Sequence, residues 1–257
     1  MPHLTPTQWL LGAIAALCIG MSKTGLPGVG VLIVPVMAAL FDGRTSVGTV
    51  LPLLLFADCF AILWYRRHAR WDCLMALAPW LLVGMAAGAG LLWILGEQQG
   101  HHDPMNRFIG TLVLVMLGVH LARLRWNDRL MPTSRLGVIS VGGASGFATT
   151  VSNAAGPVMS IYMASLRLPK EQFMGTSAWF YFLVNIVKFP MFIVLTLLTP
   201  DKPLLTRGSL LFDLTLFPLI LVGAFVGKWS LNRLSQRLFD SLILILAAVA
   251  AVKLLIG

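Results

Sequence analysis

The chain has 257 residues, 58% hydrophobic and 11% charged, with a formal net charge of +9 and a mean hydropathy of +0.84. That is too little polar surface to cover a soluble globule of this size, so lipid is the expected solvent. Residues 74–95 and 238–256 lack the period-two alternation of a β-barrel, and the basic residues lie in short loops instead of on one nucleic-acid-binding face. The expected fold is all-α, a polytopic membrane protein forming a single membrane domain over 1–257.

Along the chain, no Lys or Arg precedes the first apolar run, and Leu17 breaks a lipoprotein pattern before Cys18, so an uncleaved N-terminus is expected. Cys18, Cys59 and Cys73 stand singly, without the spacing of a disulfide framework, a redox motif or a zinc site. Residues 9–40 would span about 48 Å if wholly helical, against a hydrocarbon core of about 30 Å: too long for one crossing and too short for two. The run Gly20-Met-Ser-Lys-Thr-Gly-Leu-Pro-Gly-Val-Gly30 interrupts them. A re-entrant pair of half-helices fits, with its tip near mid-membrane. Full crossings are expected near 46–64, 74–95 and 107–123. After a basic loop at 124–135, residues 136–166 repeat the theme, broken by the polar run Gly142–Gly156, and crossings follow near 174–198, 209–228 and 238–256.

The two halves, repeat one 9–123 and repeat two 136–256, share landmarks in register. Leu11-Gly12, Gly48-Thr49 and Asp58 correspond to Leu136-Gly137, Gly175-Thr176 and Asn185, and Pro79, Gly84 and Gly88 to Pro218, Gly223 and Gly227. If the broken segments re-enter, twelve loop Lys and Arg lie on one side and four on the other; if they cross, the split is nine to seven. The positive-inside tendency selects the first arrangement. It makes the halves inverted repeats, each with one re-entrant segment and three transmembrane helices, joined by a cytoplasmic loop.

Charges inside apolar spans are costly and mark function by default. Lys23, Asp58 and Lys188 qualify. Asp58 and Lys188 are candidates for a coupling element, with a purely structural Asp58–Lys188 ion pair as the alternative. The two broken segments place Ser22, Lys23, Thr24, Gly25 and Gly28 in one half and Thr149, Thr150, Ser152 and Asn153 in the other. Half-helix ends there would point free N–H groups and positive dipole ends at an anion. Tyr181, one turn before Asn185, is placed to line the same cavity. The substrate-binding set expected is therefore Ser22, Lys23, Thr24, Gly25, Gly28, Thr149, Ser152, Asn153, Tyr181 and Asn185. Gly84/Gly88 and Gly223/Gly227 are packing faces that serve either a homodimer or the single chain.

Other motifs lead nowhere. Gly143-Ala-Ser-Gly146 looks like a rhomboid-protease nucleophile, but every histidine precedes Ser145. His101, His102 and Asp103 lack a third convergent metal ligand, and the Gly20–Gly25 run lacks a P-loop's Gly-Lys-Ser/Thr ending. With no nucleophile–base pair and no metal cluster, an enzyme is not expected.

The glycine-rich run Gly20–Gly30 followed by Pro35, its degenerate echo at Gly142–Gly156, and the Gly48-Thr49 and Gly175-Thr176 helix starts resemble the TauE/SafE family of sulfite exporters over nearly the whole chain. The resemblance implies a multi-pass protein of the bacterial inner membrane, without a cofactor, that exports small sulfur-containing anions such as sulfite or organosulfonates using an ion gradient. The partners implied are the anionic solute and the lipid bilayer. An importer of the same or another oxyanion, and a non-transporting assembly factor, are the alternatives. The second repeat departs from the pattern, replacing several glycines with Thr149, Thr150, Ser152 and Asn153.

Overall fold

The computed structural model describes residues 5–26, 29–41, 43–97, 104–126 and 134–230, and all their regular structure is helical. The expected last crossing at 238–256, Gly28 and the His101–Asp103 turn lie outside these residues. The helices are α1 (Pro6–Thr24), α2 (Gly30–Leu40), α3 (Gly43–Tyr65), α4 (Trp71–Glu97), α5 (Pro104–Trp126), α6 (Arg135–Ser152), α7 (Gly156–Ser165), α8 (Lys170–Leu198) and α9 (Arg207–Ser230). Thr5 and Gln8 form a capping box on α1, with Pro6 opening the helix, and Ser134 caps α6. Both starts follow ordinary N-cap chemistry.

Four segments, Gly43–His68, Trp71–Leu95, Glu171–Leu198 and Arg207–Ser230, are long and apolar enough to cross a membrane. Large apolar side chains face outward, among them Val83 at 63% exposure, Leu197 at 74% and Phe225 at 62%. Such a surface would aggregate in water and suits lipid. The chain is a multi-pass membrane protein.

Both long opening segments are broken as expected, but the helices run further than the sequence suggests. α1 continues through Gly20 to Thr24 and α6 through Gly142 and Gly146 to Ser152, leaving only short gaps before α2 and α7. These glycines let helices touch instead of breaking them. A Cβ on Gly20 would lie 2.2 Å from the Ile220 carbonyl of α9, and one on Gly146 would lie 2.1 Å from the Leu81 carbonyl of α4. At 19 residues, α1 is about 28 Å long. Its end is level with the end of α3, where the Tyr65 hydroxyl donates to the Thr24 carbonyl at 2.9 Å.

The halves pack by exchange. α1 of the first half lies along α9 of the second, and α4 of the first along α6 of the second. Gly12, Gly20 and Gly25 face Phe212, Ile220 and Gly227 in turn, so α1 and α9 run parallel; Gly142, Gly146 and Thr150 face Leu77, Leu81 and Gly88, so α6 and α4 do too. Phe56 stacks on Phe217 and Trp64 packs on Phe225, which aligns α3 with α9. α3 and α8 run antiparallel: Gly175 at the start of α8 abuts Tyr65 at the end of α3, while Gly48 near the start of α3 abuts Leu204 beyond the end of α8. Gly84 and Gly223 press on the Gly143 and Leu17 carbonyls inside the chain. Both glycine faces are therefore used within one chain, and a homodimer through them is not supported.

α2 folds back on α1, with Gly30 beside Ser22 and Phe41 near Phe212, at the level of Gly12. The first broken segment therefore begins and ends at the same end of the bundle. Arg44 at the start of α3 donates to the Leu92 carbonyl late in α4, so α4 runs opposite to α3, and α6, parallel to α4, runs opposite to α1.

Candidate functional site

A cavity of about 60 Å³ lies between the two hairpin tips, room for a few waters or one small oxyanion. Six of the expected binding residues line it: Ser22, Lys23, Thr149, Asn153, Tyr181 and Asn185. Behind two of these lining residues, buried Asp58 on α3 has its Oδ1 2.8 Å from Lys23 Nζ and its Oδ2 2.7 Å from Asn185 Nδ2, which donates. Lys23 Nζ also stands 4.0 Å from the centroid of the Tyr181 ring, a cation–π contact that gains strength away from water.

Lys188 is fully buried. Its ammonium donates to Asn153 Oδ1 at 2.5 Å, the Thr149 carbonyl at 3.1 Å and Thr149 Oγ1 at 3.2 Å, which occupies all three of its N–H groups. The Asp58–Lys188 ion pair considered from sequence is not formed. Asp58 pairs with Lys23, because the first hairpin carries Lys23 onto α3 while Lys188 faces the end of α6. Asn153, the αL cap of α6 at φ 56°, donates from Nδ2 to the Val47 carbonyl of α3 at 3.0 Å. An asparagine tolerates that backbone region where most residues do not, so one side chain ends the helix, ties the halves and holds Lys188.

Three expected residues lie elsewhere. Thr24 Oγ1 donates to the Ala224 carbonyl at 2.7 Å, joining α1 to α9. Gly25 sits against Gly227, where a Cβ would be 1.9 Å from its carbonyl oxygen. Ser152, 1% exposed, turns back to the Ala148 carbonyl. These are packing residues of the hairpin tips. Conversely, Gly30 and Gly156 line the cavity, and they are the first residues of α2 and α7. Two helix N-termini therefore meet there, each offering free N–H groups and a positive dipole end. The Gly156-Pro157 pair was a readable sign of the second, since proline favours the first helical turn. The remaining wall is apolar, from Ile33, Val34, Val50 and Leu54.

Two lysines and one carboxylate leave the cluster with one formal positive charge, and no second carboxylate lies within ion-pair distance among the described residues. The described residues also hold no group of metal-ligating side chains.

A lipid-exposed helical bundle, closed around a cationic cavity between two opposed hairpins, has the construction of a membrane transporter. The sequence model of the family described as "Sulfite exporter TauE/SafE" matches residues 12–254, and the chain belongs to that family. It is thereby a membrane transporter of the sulfite-exporter type, not an enzyme at the family level. No curated protein and no solved structure gives a significant match.

Proposed function

We propose that the protein exports a small sulfur-containing anion, sulfite or an organosulfonate, across a bacterial inner membrane, with an ion gradient as the driving force. The observation that carries the reading is the charge at and behind the cavity wall: Lys23 on the wall and fully buried Lys188 behind it, against the single carboxylate of Asp58, with two helix N-termini at the wall. A bound oxyanion neutralises the excess charge and accepts hydrogen bonds from those N–H groups. Lys23 and the helix ends bind the anion; Asn153, Asn185, Ser22 and Thr149 orient it; Lys188 fixes the second tip from behind.

Asp58 is the coupling residue in this reading. Its carboxylate holds Lys23 at 2.8 Å; a proton arriving there removes the pairing charge and frees the ammonium for the anion, which couples proton and anion occupancy. The two halves are inverted, a reading supported by the antiparallel run of the corresponding helices α3 and α8 and by the reciprocal pairing of α1 with α9 and α4 with α6. The end carrying Arg66, Arg67, Arg70 and Arg167 is then cytoplasmic. Labelling of a cysteine at 167–170 from the periplasm would contradict that orientation.

The test is counterflow in proteoliposomes with sulfite, sulfonates, thiosulfate and sulfate. Saturable exchange of at least one sulfur anion is expected, abolished as gradient-driven flux but retained as binding in Asp58→Asn. No exchange of any of them overturns the proposal.

A further inference from the structure

A second, smaller cavity of about 30 Å³ adjoins the first, and Ser22, Lys23 and Tyr181 line both. The rest of its wall comes from α7 and the first two turns of α8: Met159, Ser160, Phe173, Met174, Ser177 and Ala178. Those turns of α8 stand at the bundle end that carries Arg66, Arg67 and Arg70, since Gly175 abuts Tyr65 and the residues after it and His68 pairs with Glu171 at 3.3 Å. The small cavity therefore lies between the binding cavity and the basic end of the molecule. Three serines, Ser22, Ser160 and Ser177, line it, and a hydroxyl is a hydrogen-bond donor that an oxyanion can use; that of Ser22 is turned to the Ile19 carbonyl at 2.8 Å.

We propose that this cavity is a second anion subsite, a vestibule on the basic side, and that Lys23 and Tyr181 form the gate between the two subsites. The proposal rests on the transport reading above. The partition is a side-chain assembly, not backbone: the Lys23 ammonium is pinned between Asp58 Oδ1 at 2.8 Å and the Tyr181 ring at 4.0 Å. An ammonium has three donors, and the ion pair uses one, so the same group can face an anion on either side without leaving the partition. Release of Lys23 from Asp58 loosens both contacts together and opens the gate. The Arg-rich end attracts anions toward the vestibule side by its field, which gives the small subsite the first or last contact with the solute on that face.

The test is side-chain accessibility, which needs no flux. In full-length protein with Cys18, Cys59 and Cys73 replaced, a single cysteine is placed in the vestibule (Ser177→Cys) or in the main cavity wall (Val50→Cys). The anionic thiol reagent methanethiosulfonate ethylsulfonate is then applied from the Arg66–Arg70 side of oriented vesicles. Ser177→Cys should react at least tenfold faster than Val50→Cys. Adding Tyr181→Ala, or Tyr181→Leu should the first not fold, should raise the Val50→Cys rate at least tenfold, whereas Tyr181→Phe, which keeps the ring, should leave it slow. Methanesulfonate, a sulfonate inert toward the thiol reagent, should protect Ser177→Cys. An unreactive Ser177→Cys, equal rates at both positions with Tyr181 intact, no effect of removing the ring, or no protection by methanesulfonate each overturns the two-subsite gate. A null result in wild-type counterflow, with this labelling pattern present, would instead overturn the transport reading alone.

Discussion

Replacing Lys23 by methionine separates two roles that the structure assigns to one ammonium. Asp58 is fully buried, and without Lys23 its carboxylate keeps only the Asn185 donor. Breaking a buried pair from one side costs about 3–5 kcal/mol, or a fall in melting temperature of roughly 6–20 °C for a chain of this size. Adding Asp58→Asn removes the orphaned charge and should restore most of that loss. Anion affinity behaves differently: the missing hydrogen bond to a charged ligand is worth about 1.5–3 kcal/mol, roughly ten- to a hundredfold in Kd, and Asp58→Asn gives no replacement cation. Thermal unfolding in detergent followed by tryptophan fluorescence reports the first quantity, and calorimetric titration with sulfite the second. A double variant that recovers both stability and affinity to within about threefold of the parent would make Lys23 a structural staple and refute its role in binding.

Two further substitutions test the packing. Gly48→Ala places a methyl 1.7 Å from the Leu204 carbonyl oxygen, whereas Gly118→Ala meets nothing within 4 Å; the first should lose about 1–3 kcal/mol or more by overpacking and the second stay within about 0.5 kcal/mol, and equal melting temperatures would contradict the close docking of the α8–α9 turn on α3. Asp213 is 1% exposed, and neither carboxylate oxygen has a hydrogen-bond partner among the described residues, so Asp213→Asn should keep or raise the melting temperature; a fall of more than 5 °C would reveal an ionic partner and refute that account.

Hydropathy and glycine spacing were enough to expect four of the crossings and both broken segments, because lipid leaves a helix few ways to satisfy its backbone. The spacing that aligns Asp58 with Asn185 in the sequence singled out two side chains that meet in a direct hydrogen bond of 2.7 Å. The pairing of charges was not legible: whether Asp58 takes Lys23 or Lys188 depends on helix phase and hairpin direction, and composition carries neither. Nor did sequence separate glycines that open a turn from glycines that admit a neighbour. Gly20 and Gly30 stand in one run, yet the first is mid-helix against α9 and the second begins α2 at the cavity.

The exchange of helices between the halves also orders biogenesis. α1 leaves the ribosome well before its partner, carrying Lys23 and a glycine face that packs on α9 about 200 residues downstream, as the Thr24–Ala224 hydrogen bond records. Until α9 is made, the hairpin has only α3 of its own half to pack on, which also supplies Asp58 to Lys23; the partner of its glycine face and the far wall of the cavity come with the second half. Neither half holds a finished core of its own. The seam between α1 and α9 therefore closes late, and contacts of such sequence separation are the slow ones to form.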